Sequence, residues 1–125
     1  MRIMFQYLYG GGGALSNIIM LLQAIARCYP EDSIDVVCSP DSGLNKLGTL
    51  PNVSIVHFGE ERRQEWHRMR LNGYRLRSLA RARKADVLWS LNLSSYIPVG
   101  IPTVLSINNP HQVYPIEVTR FHPRN

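Results

Sequence analysis

Short, uninterrupted apolar segments alternate with amphipathic segments along this chain, and this alternation limits the possible folds more than any other sequence feature. Helical spacing is found in 14–29 and 61–84, and a short helix is expected within 40–52. Strands that are apolar on both faces are typical of parallel sheets covered by helices on both sides. We therefore expect a doubly wound, Rossmann-like α/β fold with about five strands, at 2–8, 33–39, 53–58, 87–91 and 102–107.

The length of the chain fits one domain, and the predicted sheet is incomplete. A chain of 125 residues can bury a single core. The segment "YPIEVTRFHPRN" follows the fifth strand without a further strand and helix. We therefore expect residues 1–125 to form one incomplete domain.

The apolar segments and the cysteines bear on the cellular compartment. The first apolar segment is too short to span a bilayer and contains Gln6, so no transmembrane segment and a cytoplasmic location are predicted. Cys28 and Cys38 do not have the spacing of metal ligands. We expect both to be buried thiols.

Four consecutive glycines stand between the first strand and the first helix, in "YLYGGGGALSN". A turn at this place lies at the carboxyl edge of the sheet, where open α/β folds bind ligands. The N-terminal amides of the helix favour an anion such as phosphate, and the missing Cβ atoms let it approach the backbone. Ser16 and Asn17 add short polar side chains to the first helical turn.

Other interpretations of the glycine run are weaker. The dinucleotide fingerprint G-x-G-x-x-G does not fit, and no Lys-Ser/Thr pair follows as in a P-loop. An acidic residue that binds the ribose of a dinucleotide is expected about 20 residues after the glycines, and Asp41 lies further along the chain than that. A turn that needs positive φ angles explains one or two glycines. Four consecutive glycines lose more backbone conformational entropy on folding, and a turn without a ligand does not require that loss.

The order of segments resembles the N-terminal half of GT-B glycosyltransferases, in particular glycosyltransferase family 4. The resemblance is carried by "GGGGALSN" opening a long helix, "DVVCSPDSG", a basic helix running into "KADVLWSLN", and "GIPTVLSINNPHQ". It implies the acceptor-side domain of a retaining transferase, with the donor-binding C-terminal domain outside this chain. The implied partners are a nucleotide-sugar donor substrate and a sugar, glycan or lipid-linked acceptor, with no cofactor and no metal.

The resemblance also implies functional residues. Gly11, Gly12 and Gly13 would contact the donor diphosphate and the acceptor. The family's strand-end histidine falls on Asn108, beside Asn109, and an asparagine cannot carry a proton. His111 is a second catalytic candidate, or a solvated loop histidine. Asn92 is a further candidate at the edge of the cleft, or a turn cap.

The second helix carries a basic stripe. At about 100° per residue, four arginines fall on one flank of its apolar face: Arg63, Arg70, Arg77 and Arg81. A solvated flank is the common interpretation. The alternative is peripheral contact with anionic lipid at the inner membrane surface, and nucleic acid is disfavoured because few aromatic residues are interleaved.

Two other functions compete with the transferase, which would be inactive as this chain alone. One is a non-catalytic Rossmann-like module that binds a nucleotide or phosphate at the glycine run. The other is a nucleic-acid-binding protein that binds through the basic helix. A strongly salt-dependent affinity for polynucleotides would support this alternative.

Overall fold

A computed structural model describes residues 1–7, 14–58, 65–90 and 100–106. They form five parallel strands and two long helices, and the strand order is β3-β2-β1-β4-β5. The predicted fold class, a Rossmann-like α/β sheet of five strands, is confirmed. The elements are β1 (Arg2–Tyr7), α1 (Ala14–Cys28), β2 (Ser33–Cys38), β3 (Val53–His57), α2 (Glu65–Ala82), β4 (Val87–Ser90) and β5 (Thr103–Leu105).

One face of the sheet packs against α1. Alternate side chains of the central strands point to this face because successive residues of a strand face opposite ways. Phe5 and Val36 belong to the same buried cluster as Ile18, Leu22 and Ala26 of the helix. The predicted apolar face of α1 is therefore the face that packs.

The other face packs against α2. The neighbouring positions of the same strands, Met4 and Val37, form a second cluster with Leu88, Leu76 and Ala80. Helices thus cover both faces, as predicted for a doubly wound sheet.

Strand β5 differs from the prediction. It spans Thr103–Leu105 only, and Val104 and Leu105 are 49% and 50% exposed. The strand pairs with β4 at the border of the sheet. All three residues of the strand are exposed in the described part of the chain, so its apolar side chains remain accessible.

The amino edge of the sheet, where the strands begin, is held by side chains that bind backbone groups. Asn52 Nδ2 donates to the carbonyls of Ala26, Tyr29 and Asp32, at 3.1, 3.3 and 3.0 Å. This one amide joins the end of α1 to the starts of β2 and β3.

Charged groups complete the amino edge. The Met1 ammonium lies 2.8 Å from the Asp32 carboxylate, and the Arg2 N–H donates to Asp86 at 2.7 Å. Arg83 lies 3.6 Å from Asp35. The beginnings of β1, β2 and β4 are therefore tied to one another.

Candidate functional site at the carboxyl edge of the sheet

The strand order creates a switch point between β1 and β4. From β1 the chain moves through β2 to β3 on one side, and it then returns to β4 on the other side of β1. In open α/β sheets, ligands bind in the crevice outside the carboxyl ends of the two strands at such a point. Residues 8–13 and 91–99 continue from these two strand ends.

The first turn of α1 lies beside this crevice, because the helix begins shortly after β1 ends. Ser16 and Asn17 are both exposed in this turn. The first amides of an α-helix have no partner within the helix, and its N-terminus carries a partial positive charge. The turn therefore offers hydrogen-bond donors, a hydroxyl and a carboxamide to an anionic group.

The connection after β2 is held against the same turn of α1. Gly43 has a φ of +78°, and a Cβ added to it would lie 2.8 Å from Leu15 Cδ2. Both the backbone conformation and the contact with Leu15 thus favour glycine at this position. The close approach fixes the position of the β2 connection relative to the start of α1.

Two buried serines stabilise this connection. Ser39 Oγ accepts from the Asp41 N–H at 3.3 Å and caps the short 3-10 helix Pro40–Ser42. Ser42 Oγ accepts from the Leu44 N–H at 3.4 Å. Their hydroxyls bind local backbone, so these serines support the shape of the edge.

Cys38 ends β2 inside the core. Burial raises the pKa of its thiol, and a hydrogen bond with Ser42 offsets part of this rise. The thiol therefore stays protonated at neutral pH, which is unsuited to a nucleophile or a metal ligand.

The prediction for the other cysteine was wrong. Cys28 is exposed. It ends α1 on the side that faces away from the packed cluster, whereas Ala26 of the same turn is buried.

A buried polar pair joins the two strands at the switch point. Ser90 Oγ donates to Gln6 Oε1 at 3.0 Å, and the two residues are 0% and 1% exposed. They are register partners on the β1–β4 ladder. The sequence does not predict this pairing, although Gln6 is the polar residue that interrupts the first apolar segment.

A second side-chain hydrogen bond joins β4 to the residue that follows β5. Trp89 Nε1 donates to Ser106 Oγ at 2.8 Å, and the Ser106 N–H donates to the Ser90 carbonyl at 2.9 Å. The Trp89 ring also meets the edge of Phe5, with 5.7 Å between the ring centroids. The ends of β1, β4 and β5 are thus held in fixed positions.

Most of the predicted contact residues fall outside the described residues, which hold only Ser16 and Asn17 of the predicted cleft set. The others are Gly11, Gly12, Gly13, Asn92, Asn108, Asn109 and His111. The structure describes the ends of β1, β4 and β5 and the start of α1, which border the segments that contain these residues.

The predicted basic stripe is only partly described. Arg81 is exposed, whereas Arg77 is partly buried and its Nε lacks a hydrogen-bond partner among the described residues. Arg63 and the side chain of Arg70 lie outside these residues. The two arginines that are seen therefore have different environments.

An open depression of about 510 Å³ lies between β3 and α2, away from the switch point. Its lining is mostly apolar, with Val56 of β3, Phe58 directly after this strand, and Leu79 of α2. Tyr74 and Ser78 contribute polar atoms. This depression and the crevice are separate features of the surface.

Within 1–7, 14–58, 65–90 and 100–106, no three His, Cys, Asp or Glu side chains come together as a set of metal ligands. In the same ranges, neither helix combines the length and the apolar character needed to cross a bilayer.

Comparison with known proteins gives a structural match only. No family model and no curated protein matches the chain. Among solved structures, the chain is similar to the crystal structure of glycosyltransferase VinC in complex with dTDP, with a TM-score of 0.58 and 16% sequence identity. The alignment covers 100% of this chain and 39% of that one, so the chain spans about two fifths of the length of the glycosyltransferase. At this identity the similarity shows a shared fold.

Proposed function

We propose that this chain is the acceptor-side, N-terminal domain of a GT-B glycosyltransferase of the retaining, family 4 type. It would take part in transfer of a sugar, of hexosyltransferase type, from a nucleotide-sugar to a glycan or lipid-linked acceptor. The observation that carries the proposal is the crevice at the β1–β4 switch point, with the first turn of α1 beside it. The fold similarity over the whole chain to a solved glycosyltransferase supports it.

In this proposal the glycine run supplies the anion site. Gly11, Gly12 and Gly13 would bring bare backbone to the donor diphosphate, and the amides of the first turn of α1 would donate to its oxygens. Ser16 and Asn17 are exposed at the place where such a group would bind. The backbone amides and the dipole of α1 would offset the charge of the diphosphate, so this chain would not need to hold a metal.

The remaining predicted residues would serve the acceptor and the chemistry. Asn92, Asn108 and Asn109 can hydrogen-bond sugar hydroxyls but cannot transfer protons. Among these candidates only His111 can act as an acid or base near neutral pH. A donor-binding second domain would supply the other wall of the cleft, so the chain alone would not catalyse transfer.

An NMR titration of the labelled chain tests the anion site. Inorganic pyrophosphate, UDP and dTDP are added separately, and the amide shifts are followed. Shifts in 10–17 are expected, because these amides surround the proposed site. Shifts confined to α2, or none at millimolar ligand, would reject the glycine run as the anion site.

A matched pair of variants sharpens this titration. Asn17→Ala removes an exposed carboxamide beside the crevice, and Asn45→Ala removes one from the exposed surface of the short 3-10 helix Leu44–Leu47. The first should weaken pyrophosphate binding about 10-fold or more, because a hydrogen bond to a charged group contributes about 1.5–3 kcal/mol. The second should leave the affinity unchanged.

The coding frame after Asn125 separates a transferase from a binding module. A frame that continues through a second α/β domain with a Glu-x7-Glu stretch would support the transferase, and assay of the longer protein with nucleotide-sugars would follow. A stop codon at that place, together with diphosphate binding and no transfer when a donor domain is supplied, would favour the non-catalytic module.

Peripheral membrane contact through α2 is a separate part of the proposal. Arg81 is exposed, and Tyr74 is 53% exposed on the same helix. Flotation with vesicles containing anionic lipid, compared with neutral vesicles, tests this contact. Equal and weak binding to both would show that the basic residues are ordinary solvated surface.

A further inference from the structure

The layer between the sheet and α2 contains a polar pair where apolar side chains would pack as well. Gln6 and Ser90 lie on the strand face that also carries Met4, Val37 and Leu88, the residues packed against α2. Both are almost fully buried. A carboxamide and a hydroxyl lose their hydration when they are buried like this.

Stability alone does not account for the pair. The net gain from a buried hydrogen bond is small, and replacing both partners by apolar groups of similar shape is often neutral. What a hydrogen bond adds is a fixed distance and direction between its two atoms. The 3.0 Å bond from Ser90 Oγ to Gln6 Oε1 therefore fixes the relative placement of two neighbouring strands.

The pair lies at the carboxyl ends of the two strands that lead into the proposed site. Gln6 is the second-last residue of β1, and Ser90 is the last residue of β4. The glycine run begins shortly after the first, and the segment that contains Asn92 follows the second. The two strands are hydrogen-bonded neighbours across the switch point.

We propose that Gln6 and Ser90 are a positioning pair: their hydrogen bond sets the geometry of the strand ends that carry the glycine run and the Asn92 segment. The inference rests on the proposed function of the glycine run as an anion site. Neither side chain touches the ligand, and both act through the backbone that they hold.

The main test is the double variant Gln6→Met/Ser90→Ala. Methionine keeps the length of the glutamine side chain, alanine removes only the hydroxyl, and neither member of the pair stays behind as a buried polar group without the other. The double variant should therefore keep the unfolding midpoint of the parent chain, while its affinity for inorganic pyrophosphate or UDP falls about 10-fold. That loss is modest for a displaced binding group.

The single variants test whether the two residues act as a unit. Gln6→Met and Ser90→Ala break the same bond, so each should lose about as much affinity as the double variant, and the effects should not add. Each single variant leaves one buried polar group without this partner and should unfold earlier than the double variant. Additive losses of affinity would overturn the inference.

A stability control separates positioning from general weakening of the fold. Asn52→Ala removes three hydrogen bonds at the amino edge, at the opposite end of the strands from the crevice. It should unfold earlier and still bind pyrophosphate with the affinity of the parent chain. If Asn52→Ala loses as much affinity as the double variant, the loss of affinity is not specific to the carboxyl edge, and the inference fails.

The outcomes for the two proposals can be distinguished. If the parent chain binds neither pyrophosphate nor UDP, the anion site and the positioning pair both fail. If the parent chain binds and the double variant binds equally well, only the positioning pair fails. If the double variant binds about 10-fold more weakly at an unchanged unfolding midpoint, both stand.

Discussion

The two edges of the sheet are stabilised in different ways. At the amino edge, exposed or partly exposed side chains bind backbone atoms near the strand starts. Asn52 donates to three carbonyls, and the Asp86 carboxylate accepts from the Arg2 N–H. At the carboxyl edge, the described hydrogen bonds are buried or partly buried and join uncharged groups, as in the Gln6–Ser90 pair and in the backbone contacts of Ser39 and Ser42. The comparison indicates that the contacts of the amino edge stabilise the fold. Those of the carboxyl edge hold the strand ends from which the following segments continue.

The two cysteines give the largest expected difference between the edges. Cys28 is exposed near the amino edge, whereas Cys38 is buried at the carboxyl edge and burial raises its pKa. At neutral pH, Cys38 should react with a thiol reagent at least about 100-fold more slowly than Cys28, since it reacts only when the structure opens. Alkylation that is quenched at successive times and followed by mass spectrometry measures both rates.

A chemical control for this prediction is the unfolded chain. In denaturant the two thiols should be modified at similar rates, because burial no longer distinguishes them. Equal rates in the folded chain would contradict the buried placement of Cys38.

The Asn52 amide should contribute most to stability among the side chains of the amino edge. Asn52→Ala is expected to lower the free energy of unfolding by about 2 kcal/mol, because it removes the hydrogen bonds of the amide to three carbonyls. The Tyr29 carbonyl still accepts from the Asp32 N–H. Urea unfolding followed by circular dichroism measures the change. Asn45→Ala, an exposed asparagine outside this network, should change stability by less than about 0.5 kcal/mol.

At the carboxyl edge, a smaller loss is expected from Gly43→Ala. The φ of +78° costs an alanine about 1 kcal/mol, and contact with Leu15 adds to this cost. Gly100→Ala is a matched control, because Gly100 has a φ of +83° and nothing within 4 Å of the added Cβ. If the two variants unfold at the same urea concentration, the contact with Leu15 is unimportant.

The smallest expected effect is a pH dependence at the amino edge. The hydrogen bond to Asp32 raises the pKa of the Met1 ammonium. Because the folded-state pKa is higher than the unfolded one, this contribution is complete below the ordinary value of about 8 and is lost as the pH rises through the folded-state pKa. The unfolding midpoint should therefore fall slightly between neutral and alkaline pH.

Asp32→Asn isolates this contribution from the other groups that titrate in the same range. The difference between the midpoints of the parent and variant chains should narrow as the pH rises above about 8. A difference that stays constant would show that the ammonium and Asp32 do not interact in solution.

The sequence predicts the regular parts of this fold well because they depend on local periodicity. The packed face of α1, that of the described part of α2 and the strand positions agree with the prediction, within a residue or two at most of the described element ends. Strand β5 is the exception. Its apolar residues resemble those of a buried strand, but its position at the border of the sheet leaves Val104 and Leu105 exposed.

The supporting contacts could not be predicted because they join residues far apart in the chain. Gln6 and Ser90 are separated by 84 positions, and their pairing depends on the strand order. The available signal was a glutamine inside an apolar strand and a serine at the end of another. Likewise, nothing local shows that Asn52 binds three carbonyls.

The central place of β1 has a consequence for synthesis of the chain on the ribosome. The first strand to emerge pairs with β2 early, but its other neighbour, β4, is made only after β3 and the whole of α2. At translation rates of about 5–20 residues per second, the roughly 30 residues between β3 and the end of β4 take about 2–7 s. During that time one side of β1 presents unpaired backbone groups, so the nascent chain carries an open edge in the middle of its future sheet.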